Sequence, residues 1–314
     1  MLAEEVRSGL VETVHDGAVA VVSASGELIA SYGEVDRPFY FRSSAKPFQA
    51  AVSQACGASL VREQVALACA SHDGESVHVA LVESILAGAG LSAADLGNPP
   101  GWPLSGSAER RLVASGDTTP NRLWHNCSGK HAAMLAATVA SGWDISNYLD
   151  PKHPLQVRIT DAIREVAGPV DPIGIDGCGA PVFATTARGM GRAFARLAAA
   201  DEFIEVFDAM HAFPALVSGF GNVDAAIATQ LDAVAKRGAA GALGIGLRGS
   251  IGIAVKVWGG SGLVAGVAGL AALDQVGALT PYARDQLHRH SHPVVKGGGQ
   301  PVGRFEPRLE LRWQ

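Results

Sequence analysis

Cysteine is scarce in this sequence. Four thiols, Cys56, Cys69, Cys127 and Cys178, are spread over 314 residues, which is no disulfide framework. Runs of lysine and arginine are also missing. Charged residues make up 18% of the chain and the formal net charge is −5, with both signs interspersed, so a nucleic-acid-binding face has no support. The longest apolar stretches, such as residues 261–273, are rich in glycine and alanine and too short to span a bilayer. The opening MLAEEVRSGLVE carries acids where a secretory leader carries basic residues, and it has no apolar run. A cytoplasmic protein is the expectation. Repeats, low-complexity tracts and Pro- or Ser-rich linkers are absent. So are a His-Glu-x-x-His pattern, a P-loop and a nucleotide-binding glycine fingerprint in a fitting context. Gly244-Ile245-Gly246 is weak, because 38 glycines produce such patterns freely.

What is present is enough apolar residue, 48%, to build a large core in one domain or two intimate ones. Residues 17–24, then Ser25-Gly26 and ELIASYG, read as a β-hairpin. Helical spacing begins at Lys46-Pro47, with proline in a first turn. It recurs near 60–70, 76–90, 106–114, 129–141, 154–167, 183–199 and 202–212, interrupted by an extended piece at 171–176. Strand character returns at 251–258 and 262–269, which Gly-Gly-Ser separates as a second hairpin would, and again in the tail FEPRLELRW. The pattern predicts an α+β fold of α/β/α sandwich type. One antiparallel sheet is built from both chain ends (residues 1–58 and 240–314), and a mainly helical part (59–239) packs on it. The site lies in the cleft between them.

Five groups of residues could do chemistry. Ser43 and Lys46 stand three residues apart at a helix start, so hydroxyl and amine share a face. Lysine activates serine if burial and a neighbouring cation such as Arg42 lower its pKa. A helix cap followed by a surface lysine explains the same pattern. Ser71-His72-Asp73-Gly74-Glu75 follows an apolar helix as a polar loop. Adjacent residues do not readily form a triad with one another, and a capping turn is the ordinary alternative. His125-Asn126-Cys127-Ser128-Gly129-Lys130-His131 opens a helix, and Asp176-Gly177-Cys178-Gly179 follows a short strand. Two thiolates with His125 or His131 would suit zinc, as would two buried free cysteines suit a core. Lys256 sits alone in an apolar strand, in phase with Gly252 and Ala254, which reads most simply as an outward face.

Together these segments resemble one family. VRSGLVETVHDGAVAVV (6–22), RSSAKPFQA (42–50), ASHDGE (70–75), GWPL (101–104), HNCSGKHAAML (125–135), DPKHPLQ (150–156) and DGCGAP (176–181) occur in its order. The chain is similar to Rhizobium-type L-asparaginases, the asparaginase II family. The resemblance runs from about residue 5 to 314 and is weakest after 235. It implies a fold like serine β-lactamases, penicillin-binding proteins and serine glutaminases. It further implies Ser43 as nucleophile with Lys46 as its base, and a second couple of Ser71 with a late-strand lysine, matched to Lys256. Zinc would be held by Cys127, Lys130 and Cys178, and the substrate by Arg42, His131, Asp176 and Gly177. The partner implied is L-asparagine, and the assembly a homodimer. Three departures stand out. Lys236-Arg237-Gly238-Ala239-Ala240-Gly241 lacks the acid the family usually has at position 240, Gly259-Gly260 replaces an Asp-Gly turn, and the approach Asn121 to His125 differs. Rival readings are a glutaminase or other small-amide hydrolase, a β-lactam- or peptide-directed serine protein, and a non-catalytic zinc-dependent amino-acid-binding protein.

Overall fold

The computed structural model of the chain describes residues 1–219 and 221–314. Among these, the central element is a six-stranded antiparallel sheet. Its order is Arg312–Trp313, Leu28–Tyr32, Gly17–Ser23, Ile251–Val257, Ala242–Leu247, Ala233–Gly238. The hairpin expected at residues 17–32 forms, and its first strand pairs with a strand 228 residues further on, Ser23 opposite Ile251. A sheet built from both chain ends is therefore what the sequence adopts. A second sheet joins Val294–Gly297, Gln300–Pro307, Ala3–Arg7 and Leu10–His15, and a small third one joins Phe39–Tyr40, Pro181–Thr185 and Ile173–Ile175.

Both faces of the six-stranded sheet are covered. Val19, Val21, Ile253, Val255 and Val257 belong to one core, shared with the helix Gly262–Gln275. Ala18, Ala20, Val22 and Ala254 belong to the other, shared with Phe48, Phe194 and the helical part. The second face is nearly all glycine and alanine, which lets the helix Ala187–Ala199 press against it. A β-carbon on Gly252 would lie 2.0 Å from the Gly191 carbonyl oxygen, and one on Gly244 would lie 2.0 Å from the Phe194 ring. Lys256 lies on that face. The small residues that suggested an outward side are there because helices pack closely over it.

Three elements differ from the sequence reading. Residues 262–275 form a helix, and the partner of Ile251–Val257 in the hairpin is Ala242–Leu247. A run buried on all sides has no period to reveal its type. The signal was Ser261, whose hydroxyl caps the helix by accepting from Val264 N–H at 3.2 Å. Pro181–Thr185 is a wholly buried strand where helix was expected from 183. Thr186 then caps the helix through Gly189 N–H at 3.0 Å. The strand Ala233–Gly238, inside the segment expected to be helical, forms an edge of the main sheet.

The close approach is testable. Gly252→Ala is expected to lower the stability by about 2–3 kcal/mol or more, because backbone atoms on both sides must move. Gly88→Ala, with nothing within 4 Å of the new carbon, should be neutral or stabilising by up to about 1 kcal/mol. Urea midpoints for both variants check the pair.

Candidate active site

The site starts where the strand Phe39–Tyr40 runs into a 3₁₀ turn, Arg42–Ala45, and then the helix Lys46–Ala55. Pro47 sits in the first turn, where no amide hydrogen is missed. Arg42 holds a left-handed φ of +52°, a conformation that costs a side-chain-bearing residue roughly 1–3 kcal/mol. Two contacts impose it. Phe41 N–H donates to the Phe183 carbonyl at 2.9 Å, and Arg42 Nε donates to Asp176 Oδ1 at 2.8 Å. Beneath the turn, Phe48 meets Phe41, Phe194 and Phe203 edge-on at 6.2, 5.8 and 5.7 Å between centroids, which fixes the helix in the core.

Lys46 leaves this helix almost without exposure, at 2%. Its amine donates to the Ala70 carbonyl at 2.5 Å and the Asn126 carbonyl at 3.3 Å, and lies 3.1 Å from Ser71 Oγ. The two carbonyls can only accept, so they take two N–H bonds. The third direction points at the Ser71 hydroxyl.

Ser71 is bound from the other side as well. Lys236, on the edge strand Ala233–Gly238 and fully buried, places Nζ 3.0 Å from the same Ser71 Oγ and 3.1 Å from the Arg237 carbonyl. Its nearest carboxylate, Asp224, stands 3.9 Å away. Asp224 also accepts from Arg237 N–H at 2.9 Å and lies 2.7 Å from Arg237 Nε without hydrogen-bond alignment. Burial pulls the Lys236 pKa down to about 7; Asp224 opposes this, while Lys46 and Arg237 add to it. One hydroxyl thus bridges two buried amines, and one of them can exchange a proton near neutral pH.

The lysine that the sequence matched to Ser71 is therefore the wrong one in this geometry. Lys256 lies two strands away in the sheet order and donates to the Ala240 carbonyl. Lys236 takes the place beside Ser71. The available signal was Gly238, two residues later: a β-carbon there would lie 2.7 Å from the Phe41 carbonyl and 3.0 Å from Ser44 Oγ. This glycine lets the lysine strand press against the Ser-x-x-Lys turn, and Ser44 Oγ ties the two by donating to the Lys236 carbonyl at 2.9 Å. The run resembles the Lys-x-Gly strand that accompanies Ser-x-x-Lys in serine acyl-transfer enzymes.

His72 has a different part. Gly74 N–H donates to its Nδ1 at 3.2 Å, so Nε2 carries the hydrogen and donates to Ser128 Oγ at 2.9 Å. Ser128 passes its own hydrogen to the Leu123 carbonyl at 2.8 Å. Burial holds the ring neutral, well below its ordinary pKa, with His78, Lys46 and His125 adding to the effect. His72 pins the 71–75 loop to the 123–128 loop.

Ser43, Ser71, Asp73, Asn126, Asn222, Lys236 and Arg237 face a common cavity of about 500 Å³, within the size range of small-molecule sites. A wider cleft, about 630 Å³ beside His288 and Arg289, is away from this chemistry. Among the described residues, no hydrogen bond joins Ser43 Oγ to Lys46; catalytic contacts are often long before a substrate is bound. Asn126 connects the cavity to a second cluster behind it, since Cys127 Sγ lies 3.6 Å from its Oδ1.

That cluster holds Cys127, Cys178 and Lys130, all nearly buried. Lys130 Nζ donates to Cys178 Sγ at 3.0 Å. Burial would depress the Lys130 pKa, but the two sulfurs outweigh it and raise it. Cys127 is held well below its usual value, first by its hydrogen bond with Cys178, against the effect of burial. Gly129 makes the arrangement possible, because a β-carbon there would meet the Leu67 carbonyl at 2.6 Å. His131 is buried beside the cluster: Gly97 N–H donates to Tyr148 OH at 2.8 Å, that hydroxyl lies 2.7 Å from His131 Nδ1, and Nε2 has no partner. Among the described residues no three His, Cys, Asp or Glu side chains gather as a ligand set. A metal here would take two thiolates and the Lys130 amine, with the orphaned His131 nitrogen next to them. That donor set fits zinc, provided Lys130 gives up its proton. Asp176 is paired with Arg42, and Gly177 N–H donates back to Asp176 Oδ1 at 2.8 Å. His131 has no exposed surface.

The sequence matches the family described as L-asparaginase II over residues 3–307. The chain belongs to the L-asparaginase II family. No curated protein sequence matches it. Similar solved structures include Mglu in its native form, with 16% identity over 95% of this chain and 73% of that one and a TM-score of 0.46. The L-glutamate-binding form of Mglu at 4.3 M NaCl gives 17%, 95%, 69% and 0.48. A β-lactamase from Mycobacterium bovis gives 16%, 84%, 95% and 0.37. Membership makes this L-asparaginase II family chain an amidohydrolase of the asparaginase/glutaminase type. None of its described helices is long and apolar enough to cross a membrane.

For this L-asparaginase II family member the Lys236 pKa sets a pH dependence. Below about pH 7 the amine is protonated and cannot accept a proton, so ammonia release should show an acidic limb centred near that value. The same shift acts on stability. From about pH 7 up to lysine's ordinary value, the unfolded chain binds a proton that the folded chain does not, so stability rises with pH. Lys236→Met is expected to cut turnover by about 10²–10⁴-fold and to flatten the stability–pH curve over that range. Paired activity and urea-denaturation profiles check both.

Proposed function

We propose that this amidohydrolase is an L-asparaginase, converting L-asparagine to L-aspartate and ammonia through a serine ester. The observation that carries the reading is the Ser71 hydroxyl between the buried amines of Lys46 and Lys236, in one cavity with Ser43. Ser43 Oγ attacks the side-chain amide carbon as its hydrogen passes to Lys46. The Lys46–Ser71–Lys236 chain returns a proton to the departing nitrogen, which leaves as ammonia. Backbone N–H groups, that of Ser43 among them, stabilise the oxyanion. Water then attacks the ester, losing its proton into the same chain, and L-aspartate leaves. Arg42, held by Asp176, positions the substrate, with Gly177 and His131 supporting that wall.

Cys127, Lys130 and Cys178 are the residues assigned to zinc, with His131 beside them. When bound, zinc supplies a positive charge that fixes the 125–131 and 176–180 segments relative to each other. Loading with zinc should raise Tm by several degrees and a chelator should reverse it, with metal content read by elemental analysis. A Cys178→Ala variant that binds zinc as tightly as wild type sinks this assignment. The assembly proposed is a homodimer, checked by sedimentation.

A second reading makes Ser71 the nucleophile, since both amines touch it. The experiment that separates them is ammonia release from L-asparagine and L-glutamine, with mass spectrometry of enzyme quenched during turnover. The expected results are activity on L-asparagine, loss of about 10⁴-fold or more in Ser43→Ala, and an acyl mass increment on the peptide carrying Ser43. An increment on the peptide carrying Ser71 decides for the second reading. Folded wild type that releases nothing from L-asparagine overturns the substrate, with release from L-glutamine alone marking a glutaminase and tight binding of L-asparagine without release marking a binding protein.

A further inference from the structure

Lys256 is 8% exposed yet takes no part in the Ser71 network. Its amine donates to the Ala240 carbonyl and lies 5.5 Å from the centre of the Phe39 ring and 6.0 Å from that of Trp258. The guanidinium of Arg37 stands 4.2 Å from the centre of the same Trp258 ring. Arg42 is the third cation. Burial lowers the Lys256 pKa, and Arg42 and then Arg37 lower it further, with no carboxylate acting against them. Among the described residues no acid lies within salt-bridge distance of Arg37 or Lys256, and the single carboxylate of the group, Asp176, is bound to Arg42. Lys256 and Arg37 thus face the Phe39–Trp258 corner without a carboxylate partner, and only the third cation, Arg42, is paired. Aromatic faces compensate a cation only in part, and a buried charge ordinarily has a counter-ion.

We propose that Arg37, Arg42 and Lys256 form a binding site for a small oxyanion. Two guanidinium groups offer paired donors suited to carboxylate or phosphate oxygens, and the ammonium adds a point charge. Arg37 is exposed and gives access from solvent. The site adjoins the cavity at two places: Arg42 precedes Ser43 in the chain, and Ala240, which holds Lys256, follows the cavity residue Ala239. The oxyanion has two sources. One is the α-carboxylate of the amino-acid substrate, an arm that rests on the function proposed above. The other is a free inorganic anion.

The test uses inorganic phosphate with wild type, Lys256→Met and Ala240→Glu in an otherwise phosphate-free buffer. Ala240 already has a φ of +58°, so glutamate there adds no new backbone strain and places a tethered carboxylate next to the amine. Phosphate should raise the wild-type Tm saturably and give binding heat, and both effects should vanish in the two variants. If the site takes the substrate α-carboxylate, the variants raise KM for L-asparagine by about 10- to 100-fold with little change in kcat, and phosphate competes with substrate. If it takes a free anion, phosphate alters kcat at saturating L-asparagine in wild type and in neither variant. No saturable phosphate binding by wild type, with KM and kcat unchanged in both variants, overturns the proposal. Wild type that binds phosphate through Lys256 but hydrolyses no amide leaves the site standing and removes the asparaginase reading.

Discussion

Two lysine amines held within hydrogen-bond reach of one hydroxyl, both shielded from water, constrain everything around them. An ammonium in a low-dielectric interior is costly unless it is paired or gives up its proton. Here the nearest carboxylate stands 3.9 Å from one amine, and backbone carbonyls hold the other. The arrangement persists because its supports are rigid and arrive from separate parts of the chain. Lys46 comes from a helix seated on phenylalanines, Ser71 from a loop fixed by the neutral ring of His72, and Lys236 from a sheet edge. None can retreat to solvent. The cost of burying the pair is the same property that brings one amine to about pH 7, where it can both take and return a proton.

The sheet answers a packing requirement that serves this chemistry. Glycine and alanine cover the face toward the helical part, so the helix Ala187–Ala199 and the Ser-x-x-Lys turn approach closer than ordinary side chains allow. Larger residues on the opposite face do the usual work of a core with the helix Gly262–Gln275. The same asymmetry places Lys236 and Lys256 on the close-packed side. There they become buried cations with contrasting company: one meets a hydroxyl and an aspartate, the other meets two arginines and two aromatic rings.

What could be read in the sequence followed how local each feature was. The Ser43–Lys46 turn depends on three residues and a proline, and so did its position at a helix start. The sheet from both ends was legible because the strand Gly17–Ser23 and the strand Ile251–Val257 each show their character alone. The choice between Lys236 and Lys256 was not legible in the same way. Both sit in apolar strands and point to one face, and only strand order says which meets Ser71. The helix at 262–275 was hidden for another reason, since uniform burial erases the periodicity that distinguishes helix from strand. Lys130 and Cys178 lie 48 residues apart and touch; residue type suggested a common site, and the family resemblance supplied the lysine.

The pairing of Ser23 with Ile251 also bears on how the molecule comes into being. The middle strand of the main sheet cannot be completed until more than two hundred intervening residues have been made, and contacts so distant in sequence form slowly. During synthesis the first hairpin, with one apolar face uncovered, must wait for its neighbour. Such intermediates expose strand edges and associate readily. The wait has a second effect. Ser43, Lys46 and Ser71 emerge early, but the strand that carries Lys236 reaches them only when the later part of the chain folds back. A ribosome-bound fragment therefore holds Ser43, Lys46 and Ser71 without Lys236, and the hydroxyl shared by two amines exists only once the topology is closed.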